Sequence, residues 1–293
     1  MTRGRAEAAL VANTVIWGAT FVVVKEALAG VSTLLFLALR FSVATLALMI
    51  CFRGWWSNPR AVRQALWGGG LTGILLFAGY LLQTLGLRLT SAPKSAFLTG
   101  LTSVMVPFLA LCVYRNRPRL GEVAGLLLAT AGMGLMTLEG SIGRINRGDL
   151  LTFGCAVAFA GHLVALGHYS KKVSFELMSI AQVGTAAALS LGLCGWVEMP
   201  VFHWRTSVVG AVLITGLLAT ALAFTAMTWA QRYTTPTRTG LIFLLEPVFA
   251  WITSYVVVGE GLSRRAAAGA ALILGGVLLV ELKPAPPPQH PSP

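Results

Sequence analysis

The chain has 293 residues, 56% of them hydrophobic and 11% charged, with a mean hydropathy of +0.77 and a formal net charge of +12. Soluble domains carry roughly a quarter of charged residues, so this composition excludes a soluble globular protein and reads as an all-α polytopic membrane protein. The positive charge does not mark a nucleic-acid partner, because the Lys and Arg residues sit in short clusters between apolar runs and act there as topology determinants.

Arg3 and Arg5 precede the first apolar run, as in a signal peptide, but no small-residue cleavage site follows before Lys25 and Glu26, so an uncleaved first span is expected. A bilayer core takes about 20 apolar residues per helix. The apolar runs therefore predict ten spans, at about 7–29, 32–53, 65–87, 92–114, 120–139, 149–169, 175–198, 206–231, 236–258 and 264–282.

Span one carries Trp17; span six carries His162 in a comparable place, with Phe159 the closer counterpart of Trp17. A buried histidine is commonly a hydrogen-bonded packing group, and near neutral pH it can also titrate. Arg40, eight residues into span two, reads as an anion-binding group or as a bundle-facing residue paired with Glu26 or backbone carbonyls. Span three places Gly73, Phe77, Tyr80 and Thr84 on one helical face, with Gln83 beside them. Lys94 and Phe97 follow in the first turns of span four. Lys94 is a candidate partner for a substrate carboxylate, unless its stem snorkels to the interface.

In span eight, Phe224 and Thr228 stand 144 residues after Tyr80 and Thr84, on a face that also holds Thr220 and Gln231. Such a stripe is commonly core packing or lipid contact, but lipid offers hydroxyls no partner, which favours a substrate-facing wall. Trp229, Phe243, Trp251 and His168 are further wall candidates, while Trp55, Trp56, Trp67, Trp196 and Trp204 near span ends fit an interfacial aromatic belt. The sole aspartate, Asp149, starts span six, and only Glu246 among the acidic residues lies well inside a span. It precedes Pro247, whose missing N–H and ring free a carbonyl one turn earlier and bend the helix. Two readings of Glu246 stand open. One is a proton-titrating coupling group or substrate-binding carboxylate in a cavity; the other is a carboxyl pinned by helix-end donors near the bend, or sitting in a water vestibule.

The stretch from Ser91 to Gly134 returns from Thr235 onward. A shift of 144 pairs Ser91 with Thr235, Lys94 with Arg238, Asn116 with Glu260, Gly125 with Gly269 and Gly132 with Gly276, while Pro107 matches Pro247 at a shift of 140. This is an internal duplication, with a first five-helix repeat over 1–140, a second over 141–283 and a proline-rich tail over 284–293 expected to be disordered. Five spans per repeat invert the second copy in the membrane. Thirteen Lys and Arg in segments on the N-terminal side against eight on the other place both termini in the cytoplasm. Small residues such as Gly125, Gly132 and Gly276 predict close helix packing. Cys51, Cys112, Cys155 and Cys194 form no close pair, which argues against a disulfide framework or zinc site. No G-x-x-x-x-G-K-[ST] loop is present, so neither a cofactor nor ATP drive is expected.

Trp17-Gly18-x-x-Phe21, the Ser/Thr starts of spans four and nine, and Glu246-Pro247 followed by Gly259-Glu260 form one pattern. With these features the chain resembles the drug/metabolite transporter superfamily in its EamA-type two-repeat form, and within it is most similar to the YddG aromatic amino-acid exporters. Asn116 departs from the pattern, since many relatives carry an acid there. The resemblance implies a ten-helix bundle in a bacterial inner membrane, with spans three, four, eight and nine and parts of one and six facing a central cavity. It also favours the packing reading of Arg40, because similar proteins keep a basic residue there across different substrates.

The reading that results is a secondary transporter exporting aromatic amino acids, or other small amphipathic metabolites or drugs, by alternating access. Trp17, Phe77, Tyr80, Gln83, Thr84, Lys94, Phe97, His162, Phe224, Thr228, Trp229 and Phe243 are its substrate-binding candidates, with membrane lipid its surroundings. An intramembrane lipid-modifying enzyme needs paired acid and base groups or metal ligands at depth, and a lone Glu246 with scattered histidines supplies neither. A channel needs a permanent polar path, against which the apolar spans argue.

Overall fold

The computed structural model describes residues 3–54, 59–90, 92–115, 119–138, 145–258 and 263–281. The predicted hairpins at Asn116 and at Gly259-Glu260, the boundary at 140/141, Trp55, Trp56 and the 284–293 tail lie outside them. The helices are α1 (Arg3–Ala27), α2 (Thr33–Cys51), α3 (Pro59–Leu89), α4 (Ala92–Gly100), α5 (Thr102–Tyr114), α6 (Leu120–Thr137), α7 (Arg147–Tyr169), α8 (Phe175–Leu193), α9 (Thr206–Gly216), a π-helical turn (Leu217–Leu222), α10 (Ala223–Ala230), α11 (Pro236–Phe243), α12 (Glu246–Val258) and α13 (Arg264–Glu281). Two isolated β-bridges, Val31 with Phe202 and Cys194 with Glu198, are the other backbone pairings of note.

Eight helical segments among the described residues are long and apolar enough to cross a membrane: α1, α2, α3, Lys94–Tyr114, α6, α7, α8 and Thr206–Ala230. The predicted ninth span is divided into α11 of 8 residues and α12 of 13, and the 18-residue α13 carries Arg264, Arg265 and Glu281. Local chemistry sets several helix starts. Ser174 accepts from the Leu177 N–H, Asn146 and Asp149 form a reciprocal capping box, and Thr235 accepts from Arg238 ahead of Pro236, which needs no N–H at a first turn.

Spans four and nine both break, at Leu101 and at Leu244–Leu245. Leu101 and Leu245 stand 144 residues apart, so the breaks keep the register of the duplication whereas the prolines do not. Pro247 is the second residue of α12, where its missing N–H costs nothing. Pro107 lies inside α5, six residues beyond the break in span four, so proline is not what breaks that span.

Helix partners across the two halves come in matched pairs. α3 packs on α7 and α8 as the α9–α10 stretch packs on α1 and α2, and α4 and α5 pack on α7 as α11 and α12 pack on α1. The tightest seam joins α6 to α13. A Cβ on Gly125 would lie 2.6 Å from the Gly276 carbonyl oxygen and one on Gly276 2.5 Å from that of Gly125; Gly132 and Gly269 oppose each other in the same way, each at 2.5 Å. The two helices therefore run antiparallel at backbone contact, which no side chain would permit.

Large apolar side chains such as Leu46, Ile50, Leu71, Ile74, Phe108, Leu127, Phe153 and Leu218 are exposed, while Asn13, Arg40, Thr72, His162, Gln182, Thr220 and Gln231 are buried. That distribution suits a bundle solvated by lipid, in which polar groups must find partners inside.

Candidate functional site

A cavity of about 470 Å³ lies between the halves. Of the residues singled out in the sequence, Trp17 of α1, Tyr80, Gln83 and Thr84 of α3, His162 of α7, Phe224 of α10, Phe243 of α11 and Glu246 of α12 line it. Trp251, a secondary candidate, lines it too. Phe77, Lys94, Phe97, Thr228 and Trp229 do not.

The rings meet around this space. Trp17 stands 5.5 Å from Phe224 and 4.9 Å from Phe243 between ring centroids, Tyr80 stands 5.2 Å from Phe159 and 6.1 Å from Phe224, and His162 stands 5.8 Å from Phe224. Tilted and edge-on contacts of this kind leave apolar ring surface for a guest.

Four of the missing candidates are engaged elsewhere. Lys94 is ion-paired with Asp149 at 2.6 Å, and Thr90 donates to the same carboxylate. Its repeat-mate Arg238 pairs with Glu7 at 3.5 Å, so the starts of α4 and α11 are each tied to the start of the helix they pack on in the other half. Thr228 donates to the Phe224 carbonyl and accepts from the Gln182 amide at 2.8 Å; the Gln182 carbonyl oxygen is 2.9 Å from His162 Nε2. Because Thr228 is committed as donor, Gln182 presents its NH2 to it and its oxygen to the ring, so Nε2 of a neutral His162 carries the proton. Thr84 likewise donates to the Tyr80 carbonyl at 2.7 Å. These hydroxyls are satisfied by their own helices, which removes the argument that they must face a substrate. Trp229 packs on Tyr233, and Phe97 lies beside Gly134.

Of the two partners expected for a packing Arg40, the structure shows a backbone carbonyl and not Glu26. Arg40 Nε donates to Thr220 Oγ1 at 2.7 Å and one Nη to the Tyr80 hydroxyl at 3.0 Å, with the Ala219 carbonyl at 3.4 Å. The π-helical turn supplies two of these acceptors: Thr220 donates five residues back to the Thr215 carbonyl, and the Ala219 carbonyl also receives Trp17 Nε1 at 2.9 Å. Inserted π turns of this type recur at functional sites. Arg40 also lines the cavity, and among the described residues it and Glu246 are the charged groups in its lining. The Glu246 carboxylate has no hydrogen bond or ion pair to any described residue, so helix-end donors do not pin it. Among the described residues no three His, Cys, Asp or Glu side chains gather as a metal site.

The model of the EamA-like transporter family matches residues 5–138 and then 146–282, once for each half. The chain belongs to the EamA-like transporter family. Over 278 residues it is 33% identical to an uncharacterized transporter of Archaeoglobus fulgidus, covering 95% of this chain and 86% of that one. It is 24% identical over 295 residues to a Streptantibioticus cattleyicolor protein named "Probable terminal-alkyne amino-acid exporter", covering 96% and 94%. A solved crystal structure at 22% identity superposes with a TM-score of 0.80 over 95% of this chain and 98% of its own, a likeness of fold. This EamA-like protein is thus a multi-pass membrane transporter by family.

Proposed function

We propose that this EamA-like transporter exports aromatic amino acids, or small amphipathic metabolites of similar build, from a bacterial cytoplasm by alternating access. The observation that carries the proposal is the ring cluster of Trp17, Tyr80, Phe224 and Phe243 around a cavity between the halves, with one cation and one anion in its walls. A flat apolar guest gains contact with the rings while its charged groups meet the opposed charges. The name of the Streptantibioticus cattleyicolor relative supports amino-acid export. Uptake of labelled tryptophan, phenylalanine and alanine into proteoliposomes tests it; uptake of none, or of alanine as well as the aromatics, speaks against it.

Two further expectations belong to this reading. The ten spans form two inverted repeats with both termini in the cytoplasm, a reading supported by the antiparallel contact of the repeat-mates α6 and α13. Reporter fusions should then place Arg144 in the periplasm and the tail after Lys283 in the cytoplasm, and the reverse result for either would end the inverted arrangement. Glu246, without a partner among the described residues at the break of span nine, is the proposed proton-coupling group. Glu246→Gln should abolish the response of transport to an imposed pH gradient while retaining exchange of substrate down its own gradient. Wild-type transport indifferent to that gradient leaves a facilitator instead.

A further inference from the structure

Arg40 sits in the wall of the cavity with donors to spare, and any role it has toward a cargo rests on the transport function proposed for the chain. Its guanidinium has five N–H donors in a rigid plane. Nε and one Nη are engaged by Thr220, Tyr80 and the Ala219 carbonyl, while Nη1, with two donors, has no partner among the described residues. No carboxylate among them lies within ion-pair distance of the group. A residue 4% exposed and carrying a full charge without a counter-ion is costly. The Tyr80 ring, 4.2 Å from the guanidinium carbon, offsets part of that cost and holds the plane in place. What remains is a fixed, desolvated pair of donors in the wall that the rings share.

We infer that Arg40 Nη1 is the docking point for an anionic oxygen group, and that the cargo of this transporter is a small carboxylate, zwitterionic or anionic, in place of a neutral or purely cationic amphipath. The two N–H donors left on Nη1 can make charge-assisted hydrogen bonds to an anionic oxygen. The held geometry means little is reorganised when the anion arrives, and Glu246 across the same cavity is free to meet an ammonium on the cargo.

Four ligands that cross two properties test this on the purified full chain: phenylalanine, phenethylamine, leucine and 3-methylbutylamine, each measured by calorimetric binding and by thermal stabilisation. The two carboxylates should bind at least tenfold more tightly than the amines that share their bodies. In Arg40→Gln that advantage should vanish while binding of the amines stays as it was, and Arg40→Lys should restore part of it. A purely structural role would weaken all four ligands alike. Equal affinity of phenylalanine and phenethylamine for the wild type overturns the inference, as does binding of none of the four. Should Arg40→Gln fail to fold, the wild-type comparison decides by itself. The other axis speaks to the transport reading alone: leucine binding as well as phenylalanine would remove the aromatic preference and leave Arg40 as the anion site.

Discussion

Gly132→Val is expected to cut the yield of folded protein several-fold. The new Cβ would fall 2.5 Å from the Gly269 carbonyl oxygen and 2.8 Å from the Ile273 amide nitrogen, both backbone atoms that cannot swing aside as a side-chain tip would. In a membrane, helices are held together by close packing with no water-driven term to compensate, so α6 and α13 must separate along their length. Overpacking costs about 1–3 kcal/mol where side chains can relax, and this position lies at or above the upper end. Gly269→Val should do the same from the other side of the seam. Gly275→Val is the control, since a Cβ there meets nothing closer than Leu128 Cδ2 at 3.8 Å. Monodisperse yield and Tm of the three variants decide the matter; similar losses for Gly132 and Gly275 would mean that contact across the seam is not what holds it.

The second large effect concerns selectivity. Trp17→Ala should lower transport of phenylalanine and tryptophan several-fold while changing alanine transport little, if alanine is carried at all. An aromatic pair contributes about 0.5–1.5 kcal/mol beyond the area it buries, and Trp17 is placed to offer a guest that contact beside Phe224 and Phe243. The indole also donates to the Ala219 carbonyl and fills space between three helices, so its removal opens a hole costing about 3–5 kcal/mol in a packed core. Transport must therefore be expressed per folded molecule. Trp17→Phe, which keeps a ring and loses the hydrogen bond, separates stacking from support. Equal fractional losses for alanine and phenylalanine in Trp17→Ala would identify a packing residue.

The duplication was legible because a shift of 144 residues aligns several features at once, and the breaks at Leu101 and Leu245 obey it more closely than the prolines do. The meeting of Trp17 and Tyr80 around Phe224 was legible from their matching places in spans one, three and eight. Helical spacing served less well for Phe77. It shares the stripe of Tyr80, yet α3 is wrapped by both α7 and α8 and buries more than one face, so a shared stripe does not ensure a shared cavity. Lys94 and Asp149 are 55 residues apart and each looked unattached in the sequence; only the fold pairs them. Arg40 was read as a packing group because similar proteins keep a basic residue there across different substrates, although its depth in span two was the property that singled out Glu246. The π-helical turn left little mark in the sequence, since one of its acceptors, the Ala219 carbonyl, is a backbone group that any residue provides, and the other, Thr220, read only as part of a hydroxyl stripe.

The glycine seam has a consequence beyond stability. Gly125 and Gly132 of α6 occupy the same places in their copy as Gly269 and Gly276 of α13, so each helix is met by its own counterpart, turned end for end. A contact of that form is isologous, the geometry of a twofold dimer carried within one polypeptide. The first copy expressed alone already holds both sides of it. Two such halves would complete the seam by setting Gly125 of one against Gly132 of the other, and they would do so only if some molecules of the same product entered the membrane in each orientation.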